Sequence, residues 1–148
     1  MTDREQIEAL IFSYADLIDA GDFDGLGRLF ADAELRFAGF DEVRSGHDEV
    51  RSLYEATTRR YEDGTPKSKH LVTNVVVEVD QDLGMATGRS YFTVLQAVPG
   101  ALVLQPVIAG RYHDEFMRVE GRWRFSSRTM LIDLMGDLSR HLRMELEP

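Results

Sequence analysis

The stretch GMATGRSYFTVLQAVPGALVLQPVIAGRYHDEFMRV, residues 84–119, decides how this chain folds. Its middle, Ser90 to Gly110, runs 21 residues without a formal charge and so imitates a membrane-spanning helix. Such a helix needs about 20 continuously apolar residues. Here Gln96, Gln105, Pro99 and Pro106 interrupt the run, and VPGA breaks it at residues 98–101. Pro-Gly is turn chemistry, so the stretch is expected to form two buried strands, over 84–98 and 101–119, joined by a tight turn. A sheet edge or bulge is expected near Pro106 and Gly110, because proline cannot donate to a ladder and glycine weakens one.

The flanks continue the pattern. KHLVTNVVVEVD (69–80) and RWRFSSRTMLID (122–133) read as two more long strands, separated from the central pair by the turn signals QDLG and EG. The first half has a different period. Ile7, Leu10, Ile11, Tyr14, Leu17 and Ile18 form one apolar stripe, which predicts a helix over residues 3–20 with Thr2 and Glu5 as its capping box. Gly21 stops it, and Asp22 is placed to cap a short helix over 23–30. AELRFAGF (33–40) reads as a strand and SGHDEVRSLYEATTRRYE (45–62) as a third helix. MGDLSRHLRMELE (135–147) reads as a closing helix. Helices first and antiparallel strands after is the order of an α+β fold. A long curved antiparallel sheet with helices over one face would enclose a pocket suited to a small ligand.

Composition narrows the function. The 148 residues fit a single domain spanning 1–148. The net charge of −9 argues against a surface that follows nucleic-acid phosphates. With no cysteine there is no disulfide, thiolate metal site or cysteine nucleophile. MTDREQIEAL lacks the basic-then-apolar pattern of a signal peptide, so a cytoplasmic protein with no membrane partner is expected. No two histidines have helix or hairpin spacing for a metal, and the glycines form neither a phosphate loop nor a dinucleotide fingerprint; no metal and no cofactor are expected.

Four carboxylates crowd YADLIDAGDFDGLGRLF, residues 14–30. Calcium fails on spacing: with Asp22, Asp24 and Gly25 at loop positions three, five and six, Ala20 and Ala31 stand where ligands are required. Asp16 and Asp24 suit a solvated helix face and a helix first turn, and Asp22 suits a cap. Asp19, beside the apolar stripe, is either a surface acid or a half-buried group with a partner. His70 opens the strand HLVTNVVVEV, on one face with Val72, Asn74 and Val76 by strict alternation. Paired with Asp19 it would be a general base, at a separation of about 2.6–3.2 Å. His47 and His141 read as surface residues, and the face of His113 is open.

These segments together resemble the SnoaL-like branch of the nuclear transport factor 2-like superfamily. The resemblance lies in YADLIDAGDFDGLGRLFADAE, GHDEVRSLYE, KHLVTN, YHDEFMRVEGRWRFSSR and MGDLSRHL, which cover nearly the whole chain. It implies a cone-shaped α+β fold and a homodimer or homotrimer. Cofactor-free enzymes of the superfamily, among them scytalone dehydratase, bile acid 7α-dehydratase and hexachlorocyclohexane dehydrochlorinase, transfer protons inside the cone. Similarity to the dehydrochlorinase aligns its aspartate with Asp19, its histidine with His70 and an arginine after W-x-F-S with Arg128. Tyr14 stands where that enzyme has a lysine; the bile acid dehydratase has a tyrosine five residues before its aspartate, as in YADLID. The resemblance thus implies a lyase or isomerase acting on a small hydrophobic organic molecule. In it His70 takes the proton, Asp19 stabilises the imidazolium, Tyr14 donates a hydrogen bond and Arg128 faces developing negative charge. An ion pair between Arg128 and a core-edge acid is the other reading of that residue. Tyr54, Phe92, Tyr112 and Met130 are expected to line the pocket. A non-catalytic binding or dimerisation module of the same fold is the alternative, and a hydrolase like limonene epoxide hydrolase a third.

Overall fold

A computed structural model of the chain describes residues 1–146. Helix α1 (Asp3–Asp19) starts at a reciprocal capping box, in which the Glu5 amide donates to the Thr2 hydroxyl at 3.1 Å and the Thr2 amide to the Glu5 carboxylate at 2.7 Å. Ile7, Ile11, Tyr14, Ala15 and Ile18 form its buried face. At Gly21 the backbone enters the left-handed region, φ 72°, and α2 (Phe23–Leu29) begins at once, its Gly25 amide donating to the Asp22 carboxylate at 2.8 Å. Strands β1 (Glu34–Phe37) and β2 (Val43–Ser45) form a hairpin, and α3 (Gly46–Thr57) follows.

The second half is a meander of four long strands: β3 (Ser68–Asp80), β4 (Met85–Val98), β5 (Leu102–Val119) and β6 (Arg122–Met135). The uncharged stretch 90–110 is therefore two strands and a turn, and among the described residues no helix is long and apolar enough to cross a membrane. Pro99 and Gly100 (φ 78°) make that turn, with the Ala101 amide donating to the Val98 carbonyl at 2.9 Å. Between β5 and β6 the turn residues Glu120 and Gly121 both have positive φ, the geometry that matches strand twist in a two-residue hairpin.

The strands lie in the order β2-β1-β6-β5-β4-β3, a curved sheet that does not close. Every adjacent pair is antiparallel except β1 and β6. The sheet is thus mixed, where the strand run predicts a purely antiparallel one. The meander leaves one edge of β6 free, and β1 pairs with it in parallel. Helices α1, α2 and α3 cover one face, and the core lies between: Ile11, Phe23, Leu26, Phe30 and Val50 against Leu35, Val107, Phe116 and Phe125.

Three of the differences from the sequence pattern reshape the fold, and two of them share a cause. Helix α3 ends at Thr57 rather than Glu62, and no helix follows β6 through residue 146 (Glu147 lies outside the described residues). The Asp137 carboxylate accepts from both the amide and the hydroxyl of Ser139, a local turn that competes with helix. The chain then runs beside the end of α3: Arg143 donates to the Thr57 carbonyl at 2.8 Å and Arg59 to the His141 carbonyl at 2.9 Å through their amides. Those hydrogen bonds tie the end of α3 to the C-terminal segment, which turns through residues 139–141 instead of forming a helix. The third difference is β2, three residues too short for periodicity to show.

Gly110 sits at a register slip of β5 against β6, where the sequence pattern expects a bulge. A side-chain carbon there would strike the Leu131 carbonyl oxygen and lie 2.9 Å from the Phe92 ring. Backbone cannot yield as a flexible side chain can, so Gly110→Ala is expected to lower stability by about 1–3 kcal/mol. Urea unfolding should show this as a lower midpoint at unchanged slope.

Candidate active site

Two bulges decide which side chains point under the helices. In β3, Ser68, His70 and Val72 turn inward; the register then slips between Thr73 and Val76, with Asn74 at φ 54°. Beyond it Val75, Val77 and Val79 face in, and Val76 is 56% exposed. Strict alternation therefore fails after Val72: Asn74 and Val76 do not share the face of His70. In β6, Trp123 and Phe125 are buried, Ser126 is the extra residue of a bulge, and Arg128 and Met130 face in.

Asp19 closes α1, where the negative end of the helix dipole disfavours a carboxylate. Three donors compensate. His70 Nδ1 donates to Oδ1 at 2.7 Å, the Ser68 hydroxyl to Oδ1 at 2.9 Å, and the His70 amide to Oδ2 at 2.7 Å. Burial pushes the Asp19 carboxyl up, but the His70 ring, its charge and amide, and Ser68 outweigh burial and hold it below the ordinary value. An ionised Asp19 places the proton on Nδ1 and leaves Nε2 of His70 with a free lone pair. The separation lies within the range a poised base requires.

His70 is on the wall of a cavity of about 350 Å³. Tyr14, Tyr54, Phe92, Tyr112 and Met130, all expected there, line it too, with Ile18, Val94, Ile108 and Leu138. The Phe92 and Tyr112 rings stack at 4.5 Å, and Tyr14 meets the His70 ring edge-on at 6.0 Å. The hydroxyls of Tyr14 and Tyr54 are 2.8 Å apart. Their mutual bond uses one of the two hydroxyl hydrogens, so the other can serve a ligand. Burial pushes the Tyr14 phenol up to about 12, against the pull of nearby Arg128, and keeps it a donor.

Arg128 does not fit its expected place. It is fully buried and does not line the cavity: Nε and Nη2 donate to Asp114 at 2.7 and 3.0 Å, and the guanidinium lies 3.7 Å from the Tyr112 ring centre and 4.6 Å from that of Tyr14. Of its two sequence readings, the ion pair describes its contacts; Arg128 itself does not line the cavity, while the Tyr14 and Tyr112 rings it packs against do. Burial opposes its charge, but Asp114 outweighs burial and holds the guanidinium more firmly protonated than usual.

The remaining acids of the opening cluster diverge. Asp22 caps α2, Asp24 pairs with Arg28, His47 and Arg51, and Asp16 is exposed. His47 is half-buried between Asp24 and Asp48, and His113 lies on the face of β5 opposite Tyr112 and Asp114. His141 is a correction: it is buried on the cavity wall, not on the surface. Spacing did not reveal Ser68 either, although SKH sets it two residues before His70 and hence on the same face.

A family model for the SnoaL-like domain matches residues 1–129. The chain belongs to the SnoaL-like domain family. Among solved structures, this SnoaL-like domain is similar to a nuclear transport factor 2-like protein with a cystatin-like fold from Novosphingobium aromaticivorans. That pair shares 25% identity over 88% of this chain and 81% of the other, at a TM-score of 0.72. A candidate scytalone dehydratase from the same species is 21% identical over 91% and 87%, with a TM-score of 0.72. LinA, a hexachlorocyclohexane dehydrochlorinase, is 20% identical over 98% and 93%, also at 0.72. No curated protein sequence matches the chain. At these identities the last two likenesses show the fold, a nuclear transport factor 2-like α+β architecture.

Two outcomes are expected from the buried charges and phenols. Arg128→Met alone should cost about 3–5 kcal/mol by stranding Asp114, and Asp114→Leu in addition should recover most of that loss in urea unfolding. Tyr14 holds its proton up to about 12 in the folded chain and only to its ordinary value of 10.0 once unfolded. Ionisation above pH 10 therefore favours the unfolded state, and its contribution to stability, full below that pH, is lost as pH rises towards 12. Tyr14→Phe should make that alkaline decline shallower, measured as Tm against pH.

Proposed function

We propose that this SnoaL-like domain is a cofactor-independent lyase or isomerase that removes a proton from an activated carbon of a small, largely apolar organic molecule. The observation that carries the reading is the 2.7 Å contact between Asp19 Oδ1 and His70 Nδ1 on the wall of an aromatic cavity. Membership of the family and the likeness to dehydratase and dehydrochlorinase structures support the same class.

In this reading His70 Nε2 takes the proton and the imidazolium formed is stabilised by Asp19. The electron pair moves onto an adjacent carbonyl or expels a leaving group. The free hydrogen of the Tyr14–Tyr54 pair bonds the oxygen on which charge develops. Arg128 acts from behind the rings, where its charge strengthens Tyr14 and Tyr112 as donors rather than touching the substrate. Elimination results where the leaving group departs, isomerisation where the proton returns elsewhere.

The test is solvent deuterium exchange into 2-tetralone, a neutral ketone with acidic carbon–hydrogen bonds. The chain should accelerate exchange, and His70→Gln or Asp19→Asn should remove about 10²–10⁴-fold of the acceleration while the ketone still binds. Exchange unaffected by both substitutions would sink the base assignment and leave a binding module as the better reading.

A further inference from the structure

The proposed mechanism leaves the buried imidazole of His141 on the cavity wall unused. His141 lies in the segment after β6, and its backbone is fastened from both sides. Its amide donates to the Leu138 carbonyl at 3.1 Å, its carbonyl accepts from the Arg59 amide at 2.9 Å, and Leu142 forms a bridge with Thr58. The Arg140 carbonyl, just before it, accepts from Gln96 Nε2 at 2.9 Å and from the Tyr61 hydroxyl. Such a segment presents its side chain in one place.

The His141 side chain lies against the same space as His70. The residue is 5% exposed, it lines the cavity, and its ring centre is 6.2 Å from that of His70. Its Nδ1 is buried with no hydrogen-bond partner among the described residues. Buried polar nitrogens in folded proteins are nearly always bonded, so an imidazole on the wall of a ligand-sized cavity with none of its ring nitrogens bonded to the described residues has hydrogen-bonding capacity to offer a ligand. Burial, with the charge of His70 adding and Asp19 opposing, pushes His141 down to about 4. The ring is therefore neutral near pH 7, with one N–H and one lone pair to offer.

We propose that His141 is a ligand-binding residue: its neutral imidazole hydrogen-bonds a hydroxyl or carbonyl group of an uncharged, ring-sized molecule whose reacting carbon faces His70. The orientation towards His70 rests on the proposed function; the hydrogen bond does not. The surroundings select the class of ligand. Aromatic and aliphatic side chains make up most of the wall, and the charged residues among the lining, Asp41, Glu42 and Arg44, come from the β1–β2 hairpin, with Arg44 paired to Glu42 at 2.6 Å. Among the described residues, a carboxylate or phosphate would meet no unpaired cation beside the two imidazoles, whereas a phenol, enol or ketone would meet a neutral partner.

The experiment compares 2-naphthol with naphthalene by calorimetric titration of the full chain, its His141→Phe variant and its His70→Gln variant. His141→Phe should weaken 2-naphthol by about 5–10-fold and leave naphthalene within about twofold, the loss expected for one hydrogen bond to a ligand. Equal loss of both probes would make His141 a packing residue, and a preference lost in His70→Gln but kept in His141→Phe would assign the contact to His70. Either result overturns the proposal, as does failure of both probes to bind. Should His141→Phe fail to fold, nitrogen-15 spectra of the wild-type imidazoles decide. The His141 ring resonances should shift with 2-naphthol and not with naphthalene, and no shift would refute the contact. These readouts are equilibrium binding, so a chain that binds through His141 but exchanges no deuterium through His70 loses only the catalytic reading.

Discussion

Arg128 carries a full positive charge where no water reaches, and the interior is arranged around it. A guanidinium in a low-dielectric core is tolerable only when matched by a counter-charge and favourable neighbours. Asp114 supplies the first through two parallel hydrogen bonds, the geometry a carboxylate and a guanidinium share. The faces of Tyr112, Tyr14, Phe125 and Phe30 supply the second, with ring centres 3.7 to 5.8 Å from the guanidinium. Those rings hold α1 against β5 and β6, and two of them form the cavity wall. The placement of the phenols is thus a consequence of burying the charge. So is the bulge at Ser126, without which Arg128 would face out and Ser127 would take its place.

Much of this arrangement was legible in the sequence, and the part that was not has a common physical origin. The stripe from Ile7 to Ile18, the capping box at Thr2 and Glu5, the Asp22 cap and the four long strands all follow from local periodicity and turn chemistry. Bulges at Asn74 and Ser126 are not legible that way, because an extra residue leaves the hydrophobic composition unchanged while reversing the faces beyond it. Hence Val76 was expected beside His70 and is exposed instead. The parallel pairing of β1 with β6 is equally hidden, since four residues cannot announce which strand edge they will meet.

The candidate site divides along the same line. Asp19 and His70 were paired by the chemistry a carboxylate and an imidazole offer each other, together with family resemblance. Tyr14, Tyr54, Phe92, Tyr112 and Met130 are large residues at inward positions, which is what periodicity detects. His141 was missed because DLSRHLR has the polar character of a surface helix. Its burial depends on Asp137 turning the chain and on the end of α3 pairing with residues 141–143, both non-local events. Arg128 was seen as a residue but not as a position: a sequence cannot show that Asp114 takes its Nε and Nη2 donors.

The absence of charge from most of the cavity wall bears on how a dyad could work there. A base in water is solvated, and its proton transfer needs the solvent to reorganise. Here the fixed partners of His70 are an ionised carboxylate on one side and an apolar space on the other. Proton uptake by His70 in the proposed reaction would create a cation beside Asp19, whose charge is already paid for by Ser68 and the His70 amide. The matching negative charge on the substrate would form near the Tyr14–Tyr54 hydroxyls, with Arg128 behind them. Positive charge thus appears beside an existing anion and negative charge in front of an existing cation, and neither requires water to move. A charged substrate would disturb this arrangement, because Arg128 is already neutralised by Asp114 and Asp19 already accepts from His70 and Ser68. The same electrostatics that favour a general base in this cone therefore favour a neutral ligand, and a neutral second imidazole at His141 is the polar contact such a ligand can use without adding charge.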